Sequence, residues 1–195
     1  MSEACPASDR PCTALRNEHR VIERVLKVLA NLVRRFRSGG SFEKEAFIEC
    51  IRFLRLFADS CHHGKEETLL FPALEARGIP REHGPIGVML HEHQVGRELV
   101  RRMADAIQSG ENGNPTAGMQ CVEAAEQLIG HLSQHIAKED NILFVMGERV
   151  LSETDRQQLC TGFNEVSCRQ FEGRSKAELE RLAAELETRW AATAT

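Results

Sequence analysis

Residues 62–71 read His-His-Gly-Lys-Glu-Glu-Thr-Leu-Leu-Phe, and residues 135–144 read His-Ile-Ala-Lys-Glu-Asp-Asn-Ile-Leu-Phe. The two stretches align without a gap and are identical at five of ten positions. Upstream of each, a weaker match relates residues 15–19 (Leu-x-x-Glu-His) to residues 89–93 (Met-x-x-Glu-His). The histidines of the two matches are offset by 73 and 74 residues. We therefore predict that the first half of the fold is duplicated in the second, about an approximate two-fold axis.

Hydrophobic residues recur with a helical period between glycine and proline breaks. The predicted helices cover about 13–37, 42–76, 85–108, 116–146, 153–171 and 176–190. We expect Pro72 to break or kink the second helix, since proline removes a helical hydrogen bond. The pattern predicts an all-α fold: an up-down-up-down four-helix bundle over 13–150 with internal two-fold duplication, followed by a C-terminal helical extension over 151–195. The two extension helices are expected to cover one end of the bundle or to form a homodimer contact.

Composition excludes several classes of protein. The chain has 195 residues, 42% hydrophobic and 28% charged, which is ordinary for a globular protein. A net charge of −4 favours neither nucleic acid nor a membrane surface as a partner, and we find no membrane-spanning run or signal core. The seven cysteines are odd in number and form no C-x-x-C pair, which predicts reduced thiols and a cytoplasmic location. Because the chain has no tyrosine, no phenol can serve as a metal ligand or proton donor.

The repeated motif predicts a polar cluster inside this helical core. Residues i and i+4 of a helix share one face, which pairs His62 with Glu66 and His135 with Glu139. The neighbouring residues on those faces are apolar, so both pairs are expected to point inward. Two inward carboxylates would be costly and would repel each other unless cations lay between them.

A dinuclear metal site removes that cost, with two imidazoles on each metal and two bridging carboxylates. Imidazole with carboxylate suits iron, with manganese or zinc as alternatives. The motifs E-x-x-H and H-E-x-x-H are absent, which disfavours a ferritin-like centre and a zinc protease. The six candidate metal ligands are His19, His62, Glu66, His93, His135 and Glu139.

The strings L-x-x-E-H, H-H-x-K-E-E-x-x-L-F-P and H-I-x-K-E-D-x-x-L-F resemble the hemerythrin-like family, also called the HHE cation-binding domain. The resemblance covers about residues 13–150. It implies a four-helix bundle holding an oxo- or hydroxo-bridged di-iron centre, with the same six residues as ligands.

The chain also departs from the oxygen-carrying members of that family. Arg97 stands where the carriers have a further histidine, one turn after the third-helix ligand. The carriers' aspartate at i+5 corresponds to Asp140, while Glu139 at i+4 is the expected ligand here. His131 is the best candidate for a fifth nitrogen ligand, with Glu23 as an outside candidate. His63 is expected to point about 100° away from His62, into solvent or behind the ligands.

Three functions remain open from the sequence. In the first, the di-iron centre binds or senses dioxygen, nitric oxide or peroxide and changes its redox state. In the second, it is an enzyme that consumes peroxide or nitric oxide, or a donor of iron for repair of iron–sulfur clusters. In the third, the chain is a helical interaction domain without metal. We expect the first, with no catalytic residue yet assignable.

Overall fold

The computed structural model describes residues 10–111, 113–167 and 169–191, which form six helices. The six helices are α1 (Pro11–Arg37), α2 (44–76), α3 (Pro85–Glu111), α4 (117–150), α5 (Glu153–Ser167) and α6 (Lys176–Trp190). The described residues contain no strand, only an isolated bridge between Phe171 and Arg174, which confirms the all-α class. None of the described helices is both long and apolar enough to cross a membrane.

The predicted helix ends agree closely with those observed. Gly39 and Gly78 adopt φ angles of 88° and 89° just after α1 and α2, the left-handed region that glycine enters without strain. A capping box begins α6, with Ser175 Oγ accepting from the Glu178 backbone amide. Two ends differ by four residues: α4 was expected to end at residue 146 and continues to 150, and α5 was expected to run to residue 171 and ends at Ser167.

Two of the long helices contain wider, π-helical turns. In α2 these are Leu54–His63 and Glu66–Leu70, lying between the α-helical segments Lys44–Phe53 and Phe71–Ala76. Pro72 follows the second π turn, and the helix resumes there instead of breaking.

The second half has the same feature without a proline. In α4 a π turn, Glu139–Leu143, joins Ala117–Lys138 to Phe144–Val150. In both halves the backbone N–H of the phenylalanine that follows donates to the carbonyl five residues earlier, in Glu66 and Glu139. The π turn is therefore a property of the repeated motif and not an effect of Pro72. Such turns are often found at functional sites.

Buried side chains form a larger and a smaller apolar cluster, and the candidate ligands lie between them. In α1 and α3 the smaller cluster precedes His19 and His93, and the larger cluster follows. In α2 and α4 the order is reversed around His62 and His135. The polar residues of the repeat thus occupy one level of all four helices.

The two C-terminal helices pack along the first half of the duplication. Helix α6 contacts α1 and α2, and its apolar side joins the larger cluster through Leu179, Ala183 and Leu186. Helix α5 contacts α1 and the second π turn of α2. The extension therefore shares the core of the bundle, and a role for it in dimerisation stays a prediction.

Candidate metal centre

All six candidate ligands are brought together at the level between the two apolar clusters. One histidine comes from each of the four long helices, and the two glutamates come from α2 and α4. Each of these six side chains is at most 1% exposed: His19, His62, Glu66, His93, His135 and Glu139. The i,i+4 geometry expected from the sequence holds across the π turns, since His62 Nε2 lies 3.5 Å from Glu66 Oε1 and His135 Nε2 lies 3.3 Å from Glu139 Oε2.

The ligand atoms form two groups. In the first, one donor atom from each of His19, His62, Glu66 and Glu139 lies within 4.8 Å of the others. The second is centred on His93 and His135. We call these the first and second metal positions.

Both carboxylates are shared between the two positions. Glu66 Oε1 lies near His62, whereas its Oε2 lies 3.4 Å from His93 Nε2. Glu139 Oε2 lies 3.2 Å from His19 Nε2 and 3.3 Å from His135 Nε2. Each glutamate therefore reaches histidines of both positions, which is the arrangement that a bridging carboxylate requires.

Eight of these buried atoms have no hydrogen-bond partner in the described structure. They are the Nε2 atoms of the four histidines and both carboxylate oxygens of Glu66 and Glu139. Unpaired buried polar atoms are rare in folded proteins because each costs free energy. Imidazole nitrogens and carboxylate oxygens facing one another at these distances are the donors that iron, manganese and zinc take. The residues present therefore fit metal binding.

The other ring nitrogen of each histidine is held by a carboxylate outside the centre. The Nδ1 atoms of His19 and His62 lie 2.8 Å from Asp140 and 3.1 Å from Glu18. In the second position, His93 Nδ1 lies 2.7 Å from Glu67 and His135 Nδ1 lies 3.0 Å from Glu92. A carboxylate only accepts, so Nδ1–H donates, and in the neutral imidazole that binds a metal Nε2 carries its lone pair toward the centre.

None of these four outer carboxylates was expected to hold a ligand histidine. Each is the chain neighbour of a ligand, before the histidine in α1 and α3 and after the glutamate in α2 and α4. That adjacency, repeated in both halves, marks them as neighbours of the centre, but which histidine each one holds depends on the distances between helices. Asp140 thus holds His19 and does not join the ligand groups.

Basic residues in turn neutralise the outer carboxylates. Lys65 contacts Glu18, and Lys138 contacts Glu92 in the equivalent place. Arg97 donates to Glu67 and to Asp59, both at 2.7 Å. The residue that replaces the carriers' histidine therefore supports the carboxylate that holds His93.

The charges within the cluster set the protonation of the metal-free site. Burial lowers the pKa of His19, but the hydrogen bond to Asp140 and the negative charge of nearby Glu139 outweigh it and raise the pKa to about 10. Burial likewise opposes protonation of His93, but the negative charge of Glu66 and the hydrogen bond to Glu67 raise the pKa to about 9. Burial raises the pKa of Glu139, but its histidine neighbours, His135 first, hold it well below its usual value. Metal binding must therefore displace protons.

Two outside candidates are used elsewhere. His131 Nε2 lies 2.7 Å from the backbone carbonyl oxygen of Glu92, so it hydrogen-bonds to the main chain and is absent from both ligand groups. Glu23 is partly exposed and pairs with Arg20 at 3.2 Å. Neither supplies a fifth ligand in this arrangement.

Cys61 is fully buried, and burial raises the pKa of its thiol to about 11.

Of the two places expected for His63, the structure excludes solvent. Its side chain is 5% exposed and lies with His93 and His135 in the second ligand group. The expectation assumed α-helical geometry, whereas His62 and His63 end a run of π-helical turns, Leu54–His63. Because a π turn contains more residues than an α turn, side-chain directions drift along such a run away from the α-helical pattern. Burial, with the neighbouring histidines, lowers the pKa of His63 well below its usual value.

The phenylalanines of the repeat close one side of the site. Phe71 stacks on His93 with ring centroids 5.8 Å apart, and Phe144 stacks on His19 at 5.4 Å. On the other side, a cavity of about 440 Å³ reaches from the surface to His63. Its walls include Leu54, Ala58, Gly96, Arg97 and Leu132.

The chain belongs to the hemerythrin HHE cation-binding domain family, which matches residues 6–146. Over 172 residues it is 26% identical to the "Uncharacterized protein Mb2018" of Mycobacterium bovis, covering 87% of this chain and 67% of that protein. Over 122 residues it is 33% identical to the iron-sulfur cluster repair protein YtfE of Edwardsiella ictaluri, covering 61% of this chain and 54% of the relative. A YtfE of Salmonella paratyphi B is 35% identical over 91 residues, 44% of this chain and 40% of that protein. The chain thus spans about half the length of these YtfE proteins or less.

Proposed function

We propose that this protein is a non-haem di-iron protein that binds or responds to small oxidants or diatomics: dioxygen, nitric oxide or peroxide. The observation that carries the proposal is the set of eight buried, unpaired nitrogen and oxygen atoms that converge from four helices. The proposed ligands are His19 and His62 at the first position, His93 and His135 at the second, and Glu66 and Glu139 between them.

The architecture supports the same proposal. The apolar clusters alternate in order along α1 to α4, as an up-down-up-down bundle requires. In the first pair of helices Glu18 contacts both His62 and Lys65, and in the second pair Glu92 contacts both His135 and Lys138. This repetition is what internal two-fold duplication requires. Such a bundle offers ligands from four directions at one level, so that a metal pair can be held on rigid elements.

Bound iron would supply redox chemistry and open coordination positions for a small ligand. The protein's own residues do the rest. The outer carboxylates fix each imidazole with Nε2 inward, and the apolar clusters and stacked phenylalanines exclude water from both ends of the site. The cavity beside His63 offers a molecule of diatomic size a route from the surface.

The first experiment is metal analysis of protein purified without added metal salts, together with its visible spectrum. We expect about two iron ions per chain and charge-transfer bands from ligand to iron. Nitric oxide or hydrogen peroxide is then added. A stable, reversible adduct supports binding or sensing, and multiple turnovers support a detoxifying enzyme. Protein that is fully folded and takes up no metal refutes the proposal.

A second function is favoured by the similarity to proteins named for iron-sulfur cluster repair. In that function the centre donates iron to a damaged cluster. The test is transfer of iron from the loaded protein to a cluster-free acceptor protein, compared with transfer to a chelator of similar affinity. Preferential transfer to the acceptor supports repair. Iron that stays bound through repeated exposure to nitric oxide or peroxide supports sensing instead.

A further inference from the structure

His63 is the residue at which the two halves of the metal site differ. Its equivalent in the second copy, 73 residues later, is Ile136, an apolar side chain that is 3% exposed. Otherwise the candidate ligands and the residues that hold them correspond in kind between the halves. The first half therefore carries a buried polar group that the duplication does not explain.

The geometry associates His63 with one metal position only. A ring nitrogen of His63 lies within 4.8 Å of nitrogens of His93 and His135. The His63 ring stacks on the His93 ring with centroids 3.8 Å apart and planes 14° from parallel, while the rings of His62 and His135 are 5.7 and 5.8 Å away. The other ligand group contains His19 and His62 with the two glutamates and has no third histidine. A ligand at His63 would therefore make the two positions chemically unequal.

The ring of His63 also lacks the support that the other four histidines have. Its Nδ1 is buried and has no hydrogen-bond partner. The nearest carboxylate oxygen, Asp59 Oδ1, is 3.5 Å away and already accepts from Arg97 at 2.7 Å. A buried nitrogen without a partner is costly, and a cation at the second position would remove that cost.

We propose that His63, with its ring turned off the face of the His93 ring, is a third imidazole ligand of the second metal position, beside His93 and His135. The inference rests on the proposed function and deepens it, because it assigns two imidazoles to one metal and three to the other. Since His63 also lines the cavity of about 440 Å³, the coordination position that it occupies is within reach of a small molecule from the surface.

The test compares the native protein with His63→Ala, both loaded with iron-57 and measured by Mössbauer spectroscopy. We expect two distinct iron environments in the native protein and nearly equal environments in the variant. Titration with Co²⁺ should show one site weakened about tenfold or more in the variant, with the other unchanged. His63→Gln keeps a buried polar side chain and should give the same result, which separates ligand loss from a packing defect.

Imidazole rescue sharpens the test. Free imidazole is small enough for the cavity that adjoins residue 63, so adding it to His63→Ala should restore the two unequal environments. His131→Gln is the matched control. That histidine is 6.5 Å from the His135 ring and bonds to a backbone carbonyl, and its replacement should leave both spectra and both affinities unchanged.

The outcomes distinguish this inference from the proposed function. If His63→Ala keeps both affinities and two unequal environments, the inference is wrong, even if small molecules reach the centre faster. If the native protein binds two metals in identical environments, the inference is wrong while the di-iron function stands. If the folded native protein binds no metal, the proposed function fails as well.

Discussion

The two halves of the duplicated bundle hold the same kinds of groups in very different surroundings. Lys65 contacts Glu18 in the first half, and Lys138 contacts Glu92 at the equivalent place in the second. The side chain of Lys65 is 2% exposed, whereas that of Lys138 is 39% exposed. The inner ligands do not show this difference, since all of them are buried.

The difference comes from the C-terminal helices, which pack over Glu18 and Lys65 in the first half. Lys65 Nζ donates to Ser167 Oγ at 3.2 Å and lies over the Phe163 ring at 5.8 Å. Lys176 at the start of α6 lies 3.2 Å from Glu18. Duplication therefore repeats the chemical groups of a site. The contribution of each repeated contact to stability depends on which other segments of the chain bury it.

The largest effect, on metal content, should come from removing the carboxylates of Glu66 and Glu139, which contact histidines of both halves. In Glu66→Ala with Glu139→Ala, both bridging carboxylates are lost, and we expect metal content to fall from about two ions per chain to less than one. The measurement is elemental analysis, with circular dichroism to confirm the helical fold. The control is Glu98→Ala with Glu126→Ala, which removes two exposed carboxylates. Two metals retained in the ligand variant would mean that the bridges are misassigned.

The next prediction separates the two halves. Glu18→Gln leaves Lys65 buried without a carboxylate partner, so the free energy of unfolding of the metal-free protein should fall by about 3 kcal/mol. Glu92→Gln should lower the free energy of unfolding by less than about 1 kcal/mol, because water partly solvates the Lys138 ammonium group.

Both variants remove the carboxylate that holds a ligand histidine, so metal affinity should fall by a similar factor, about 10- to 100-fold, at the respective position. Urea unfolding and metal titration measure the two quantities separately. Equal losses of stability in the two variants would contradict the prediction, because they would show that burial by the C-terminal helices does not make the Lys65–Glu18 contact more important than the Lys138–Glu92 contact.

The third effect concerns pH. Histidine ligands must be neutral to bind metal. His19, with a pKa of about 10, and His93, with a pKa of about 9, are protonated in the metal-free protein at neutral pH. Each therefore releases a proton on binding, and apparent affinity should rise with pH between about 6 and 8, by up to about tenfold per unit for each proton.

Calorimetry in buffers of different ionisation enthalpy counts the released protons. Because one of these histidines belongs to each position, both binding steps should show the rise. If the affinity at one position does not change with pH, the histidine at that position releases no proton, and the prediction that both halves behave alike is wrong.

Several features followed from the sequence because they depend on local periodicity and on the repeat. The glycine stops, the Ser175 capping box and the inward pairing of His62 with Glu66 are all short-range. The contact of each glutamate with histidines from both halves could be expected because a duplicated hairpin repeats its polar residues at one level.

Other features were missed for identifiable reasons. Solvent was one of the two places expected for His63, because α-helical geometry was assumed where the chain forms π turns. Pro72, where a break or kink was expected, does not end the helix, which continues directly after the π turn Glu66–Leu70. The roles of Glu18 and Glu92 needed the distances between helices, which no single helix reveals.

By itself, then, the sequence determined the helices, their duplication and the six inward ligands, because each of these is set by residue spacing along one helix or by the repeat. Only the tertiary structure decided that His63 lies beside His93 and His135 and that the C-terminal helices bury Lys65 and not Lys138. These outcomes depend on helix widening and on packing between distant segments, and the free energies that settle them arise from burial, which a linear pattern does not contain.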